Sequence, residues 1–192
     1  MSGTQKVLFV QGAGAATYDE WDARVADLRA RLGDGWDVVF PRMPDADDPR
    51  HRTWAPAVRE ELTACGDDVV AVGHSFGGTV LAGVLAEPSA PPVRLLVLVA
   101  APYVGEGGWP AWDADLPADA PRGLPRDLPV LVVHGDADEV VEPEHADRYA
   151  AAVPHAVVHV LPGRDHALSD DVSELAELVL SHVGAAATGR RA

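Results

Sequence analysis

The stretch Val69-Val70-Ala71-Val72-Gly73-His74-Ser75-Phe76-Gly77-Gly78-Thr79 constrains the fold of this chain more than any other. An apolar, β-branched run stops at a Gly-x-Ser-x-Gly pentad, and Val80, Leu81, Val84 and Leu85 follow at helical spacing. That pattern spells strand, sharp turn, helix. A turn so tight strains the backbone at Ser75, and side chains at Gly73 and Gly77 would collide with the adjoining strand and helix. Ser75 then stands exposed at a helix N-terminus. Such a pentad also arises by chance as a glycine-rich turn, so other strand ends must give the serine partners before it has a chemistry.

The alternation continues along all 192 residues. Lys6 to Val10 is an apolar run ending at Gln11-Gly12-Ala13-Gly14, and Trp21, Val25, Leu28 and Leu32 then recur at helical spacing until Gly33 and Gly35 close the helix. Asp37 to Phe40 reads as a second strand stopped by Pro41. After a polar, proline-rich loop, Thr53 is the expected N-cap of a helix whose apolar face is Trp54, Val58, Leu62 and Cys65. Asp68 to Val72 is the third strand. Val93 to Ala100, apolar on both faces, reads as an interior fourth strand. Pro129 to His134 and Ala156 to Leu161 are the fifth and sixth strands, with helices over Pro143 to Val153 and Asp170 to Val183. Between the fourth and fifth strands, Tyr103 to Leu128 has four prolines, Trp109, Trp112 and no periodicity. A loop of that length is a candidate lid, its tryptophans either covering a pocket or pinning the loop to the surface.

The expected fold is α/β, a three-layer sandwich with a six-stranded, mainly parallel sheet and helices on both faces. Residues 1–183 form one expected domain, with 103–128 as the candidate lid and 184–192 as a flexible tail. Ligands in such sheets sit at the carboxyl ends of the strands, where the strand order reverses. With strands one and three as neighbours, Gly12 to Gly14 and Gly73 to Gly77 lie side by side there.

Thirty acidic against fifteen basic residues give a formal charge of -15, which repels phosphate backbones and anionic membranes. Nucleic acid and membrane partners are therefore not expected. Cys65 is the only cysteine, so no intrachain disulfide can form, and Cys65 reads as a packing residue. With no signal-like N-terminus and no long apolar run, a cytoplasmic location is expected.

A serine hydroxyl is a poor nucleophile at neutral pH and needs a base, with an acid to orient that base. Strand five ends in His134-Gly135-Asp136-Ala137-Asp138-Glu139-Val140-Val141, and strand six in Leu161-Pro162-Gly163-Arg164-Asp165-His166. The order is serine, aspartate, histidine. In this the chain resembles the α/β-hydrolase family, through the elbow at Gly73, Ser75 and Gly77, the His-Gly-x-x-Asp-x-x-Val run from His134 to Val141, and Gly-x-x-His from Gly163 to His166. The resemblance covers nearly the whole chain. In lacking the family's usual two leading strands and large cap, it is similar to the small serine hydrolases that include the retinoblastoma-binding protein relatives.

The resemblance implies Ser75 as nucleophile, His166 as general base and then acid, and Asp138 as the orienting carboxylate, with backbone amides of Ala13 and Phe76 as the oxyanion hole. Asp136 competes with Asp138, and Gly12 or Gly14 with Ala13. Where the family often has His-Gly after the first strand, this chain has Gln11-Gly12, a change that leaves backbone donors in place. His74 reads as a packing or rim residue and His134 as shaping the acid-bearing turn; His51, His145, His155 and His182 read as surface. His155 and His159 on an extended strand stand about 13 Å apart, so no metal site is expected. No cofactor is expected either: Gly12-Ala13-Gly14 lacks the third small residue, Thr17 standing in its place, and the acidic residue of a dinucleotide fingerprint. The expected activity is hydrolysis of a small-molecule carboxylic ester, or a thioester or amide. Acyl transfer on the same residues and a non-catalytic binding module are the alternatives, and oligomeric state and substrate identity stay open.

Overall fold

The computed structural model describes residues 4–110 and 115–189. Its strands are β1 (Gln5–Val10), β2 (Trp36–Val39), β3 (Val70–His74), β4 (Leu95–Val99), β5 (Val130–Gly135) and β6 (Val157–Leu161). The helices are α1 (Thr17–Leu32), α2 (His51–Cys65), α3 (Phe76–Leu85), α4 (Glu144–Ala152) and α5 (Ser173–Gly189). All six strands run parallel in the order β2-β1-β3-β4-β5-β6. The order reverses at β1 and β3, which are neighbours with Val10 opposite Gly73. That register brings the loop after β1 beside the Ser75 turn.

Alternation of side chains along each strand divides the core between two faces. Val70, Val72, Val97 and Val99 pack with Trp21, Val25 and Leu28 of α1 and Leu175 and Val179 of α5. Ala71, Leu96 and Leu98 face the other way, toward Trp54, Val58 and Leu62 of α2, Val80 and Leu81 of α3 and Tyr149 of α4. β3 and β4 are buried throughout because both faces are covered. Each large aliphatic side chain there contributes roughly 1.5–3 kcal/mol by leaving water.

Several boundaries depart from the sequence reading, those of α2, β3 and α5 among them. α2 starts at His51 after an extended Arg50, so Thr53 lies in its first turn and is not the cap. Tertiary contact decides this: Trp54 is fully buried and its Nε1 donates to the Pro44 carbonyl at 2.6 Å, which draws the preceding turn into the helix. β3 runs on to His74, since Gly73 and His74 still pair with Leu98 and Val99 of β4. α5 begins at Ser173, after a short 3-10 turn at Leu168–Asp170, and continues past Gly184 to Gly189. In the long loop after β4, Tyr103, Val104, Leu116, Leu124 and Leu128 are buried and a 3-10 turn spans Ala120–Gly123. Trp112, one of the two candidate lid tryptophans, lies outside the described residues. Among the described residues, no helix is long and apolar enough to cross a membrane.

Candidate active site

Ser75 sits between β3 and α3 with φ 50° and ψ -125°, a region that L-residues rarely occupy. Its surroundings explain the glycines. A Cβ on Gly73 would lie 2.5 Å from Gly78 Cα, and one on Gly77 would strike the Gln11 carbonyl oxygen. A Cβ on Gly78 would meet the Gly73 carbonyl at 2.7 Å and Ala101 Cβ at 2.8 Å. The Ser75 amide donates to the Val99 carbonyl at 2.8 Å, fixing the turn to the end of β4. Behind it, Thr79 Oγ1 and the Tyr149 hydroxyl both donate to the Pro102 carbonyl, at 2.7 and 3.1 Å.

The turn after β5 buries one carboxylate and exposes another. Asp138 Oδ1 accepts from the amides of Val140 and Val141, both at 2.9 Å, while Oδ2 lies 2.9 Å from His166 Nδ1. His134, fully buried, places Nε2 2.9 Å from the Val141 carbonyl and 3.2 Å from Asp138 Oδ2. Both neighbours only accept, so Nε2 carries the hydrogen. Burial would raise the Asp138 carboxyl, but the hydrogen bonds from His134, His166 and the two amides outweigh it and hold the group below the usual carboxylate range. Asp136 is exposed and accepts instead from the Gly163 amide, joining this turn to the one after β6. Of the two candidate acids, Asp138 is the one that meets His166.

With Nδ1 facing an ionised carboxylate, His166 carries its hydrogen there and leaves Nε2 as the basic nitrogen. His74 holds the loop in place: its Nε2 donates to the His166 carbonyl at 2.9 Å, and the two rings are 4.8 Å apart. Burial, then the charge of His166, pushes His74 down to about 3, so it stays a neutral donor at physiological pH. Among the described residues no hydrogen bond joins Ser75 to His166; the contact that the His166 loop makes here is with His74, the residue before Ser75.

The loop after β1 closes the other side. At Gly12 a Cβ would lie 3.0 Å from His74 Nδ1 and 3.1 Å from Ser75 Cβ. The Gly14 amide is engaged by the Ala46 carbonyl at 2.7 Å and the Ala15 amide by Asp47 Oδ1 at 3.0 Å. Among the described residues, the amides of Ala13 and Phe76 have no such partner. Both residues, with Ser75, line a cavity of about 310 Å³.

Sequence reasoning missed several supporting residues. His145, read as surface, is buried: Nδ1 accepts from the Tyr103 amide at 2.8 Å, and Nε2 faces Glu142 at 3.5 Å. The reason is that the first turn of α4 packs beneath the loop after β4, a contact between segments 42 residues apart. Arg164 was unmarked as well; Nε donates to Glu174 at 2.8 Å and a second nitrogen to Asp171 at 2.9 Å, anchoring the His166 loop to α5. No local signal could have found either.

The fold is shared with solved structures of low sequence identity. A meta-cleavage product hydrolase from Pseudomonas fluorescens superposes with a TM-score of 0.75 at 16% identity, covering 97% of this chain and 93% of that one. A serine hydrolase involved in carbazole degradation gives 0.71 at 18%, covering 95% and 92%. The ydeN gene product of B. subtilis gives 0.68 at 17%, covering 94% and 100%. None of the curated proteins matches the chain. The model of the serine hydrolase family matches residues 8–172, from β1 through the elbow and both partner turns to the start of α5, and the chain therefore belongs to that family.

Proposed function

We propose that this serine hydrolase cleaves a carboxylic ester through an acyl-enzyme on Ser75. The observation that carries the reading is the Asp138–His166 pair at 2.9 Å, with the acid side chain fully buried and its other oxygen held by two amides. A carboxylate so restrained fixes the imidazole tautomer and stabilises the imidazolium that forms during catalysis. The proposed course begins when His166 Nε2 takes the Ser75 hydroxyl proton as the oxygen attacks the ester carbonyl. The amides of Ala13 and Phe76 stabilise the oxyanion, an assignment supported by their lack of other partners and by their place on the Ser75 cavity. His166 returns the proton to the departing alkoxide, then activates a water that releases the acid and restores Ser75.

A fluorophosphonate probe tests the nucleophile. One equivalent should bind, at Ser75, and labelling should vanish in Ser75→Ala. With an activated ester, Ser75→Ala or His166→Ala should lower turnover by about 10⁴ to 10⁶ while the fold stays intact. Turnover that survives Ser75→Ala would refute the mechanism.

A further inference from the structure

Resting on that ester-hydrolase reading, we propose that the cavity beside Ser75 is a preformed pocket for a compact, uncharged acyl chain, and that Trp109 is the wall setting its length. The chemistry of the lining argues the first part. Phe76, Pro102, Val104, Trp109, Pro110 and Leu116 supply an apolar surface beside the nucleophile, and Asp47 and Asp48 stand among the remaining lining residues. Asp48 is paired with Arg50 at 2.7 Å, and Asp47 is fixed by the Ala15 amide. Among the described residues that line the cavity none is cationic. An anionic substrate group would meet the Asp47 carboxylate and an Asp48 whose Arg50 partner lies outside the lining, on a surface that cannot solvate it.

Size follows from volume. About 310 Å³ lies at the small end of the roughly 300–1,000 Å³ of ligand pockets, which suits a compact chain.

The wall is built rather than draped. Trp109 donates its amide to the Tyr103 carbonyl at 2.9 Å and accepts from the Gly105 amide at 3.0 Å; Gly108 donates to Gly105 at 3.0 Å. Gly105 and Gly107 take φ of 134° and 74°, which side chains disfavour, and a Cβ on Gly108 would strike the Tyr103 carbonyl. Tyr103 anchors the turn from below, its amide on His145 Nδ1 and its hydroxyl on Asp119 Oδ1 at 2.6 Å. Asp119 also accepts from the Glu106 amide at 3.3 Å, and the His145 ring meets the Trp109 indole edge-on at 5.7 Å. Trp109 is nonetheless 38% exposed. Its turn is held from two sides while the indole borders the cleft, as a specificity wall requires.

A series of alkyl fluorophosphonates, ethyl to octyl, reads the pocket at Ser75 without requiring turnover. Second-order labelling rates, followed by intact-protein mass spectrometry, should fall at least tenfold from butyl to octyl. Trp109→Ala should bring octyl within threefold of butyl, and Trp109→Phe should keep the original ranking. A butyl probe ending in carboxylate should react at least tenfold more slowly than its methyl-ended counterpart. Equal butyl and octyl rates, an unchanged ranking in a Trp109→Ala protein with a normal melting transition, or equal rates for the charged and uncharged probes would each overturn the pocket proposal alone. Failure of every probe to label would overturn the nucleophile reading, and this proposal with it.

Discussion

Ser75 carries a conformational cost that its own substitution can measure. At φ 50° and ψ -125° the backbone is held in a region that costs a non-glycine residue about 1–3 kcal/mol. Glycine adopts it freely, losing in exchange roughly 0.5–1 kcal/mol of chain entropy. Ser75→Gly and Ser75→Ala both remove the hydroxyl, but only the first relieves the strain. Ser75→Gly should therefore unfold at higher urea, with a margin of about 1 kcal/mol over Ser75→Ala. Equal stabilities would mean that the turn is not strained. Gly77 makes the opposite case two residues on. Its Cβ would meet first the backbone carbonyl oxygens of Gln11 and Val10, which cannot turn away as a side chain can. Gly77→Ala should cost roughly 3 kcal/mol, since β1 would have to shift to accommodate it. A melting temperature unchanged by Gly77→Ala would remove the steric account of the elbow.

At the scale of elements, two turns at the carboxyl end of the sheet work as one body. The Ala137 amide donates to the Arg164 carbonyl at 3.0 Å, the Asp136 amide to the Leu161 carbonyl at 3.1 Å, and Arg164 ties both to Asp171 and Glu174 at the start of α5. Ion pairs this exposed contribute at most about 1 kcal/mol to stability, yet they hold the loop that carries His166. Arg164→Ala should leave the melting transition almost unmoved and lower kcat roughly tenfold, with KM changed less than about threefold. A matching loss in KM would assign Arg164 to substrate binding instead. Elements were legible in the sequence where burial follows period: Trp21, Val25, Leu28 and Leu32 recur every three or four residues, and all four are buried. The places of Ser75 and His166 were legible because each follows a recognisable strand, Ser75 directly after β3 and His166 in the turn after β6. Asp138 was preferred to Asp136 only through its place in the His-Gly-x-x-Asp-x-x-Val pattern; the physical reason, which carboxylate the turn folds inward, was not in the sequence. The Tyr103–His145 and Arg164–Glu174 contacts were equally hidden, since nothing local in either segment records the other.

Considered whole, the molecule is built to lose stability in mild acid through its histidines before its carboxylates. Burial lowers the proton affinity of His51, His74, His145 and His159. In the unfolded chain each titrates near 6.5. The folded state thus binds fewer protons than the unfolded state below that pH, and unfolding gains from every proton taken up. For His74, whose folded value is about 3, the stabilisation is complete above 6.5 and is lost progressively as pH falls from 6.5 toward 3. At about 1.4 kcal/mol per pH unit, His74 alone removes roughly 2 kcal/mol by pH 5. Asp138 acts lower: its depressed folded value makes its contribution fade only as pH falls below the ordinary carboxylate value of about 3.9. Relief of repulsion within a chain of charge -15 opposes both losses, but salt screens surface charges beyond about 8 Å at physiological strength. A glutamine at position 74 can still donate to the His166 carbonyl and does not titrate. Urea unfolding of the native chain and His74→Gln, at pH 7 and pH 5 in physiological salt, should show the native chain's advantage shrinking by about 2 kcal/mol. A gap that stays constant would mean that His74 takes up its proton at the same pH in the fold as in the unfolded chain, and its bond to the His166 loop would then have to hold a charge below about 6.5.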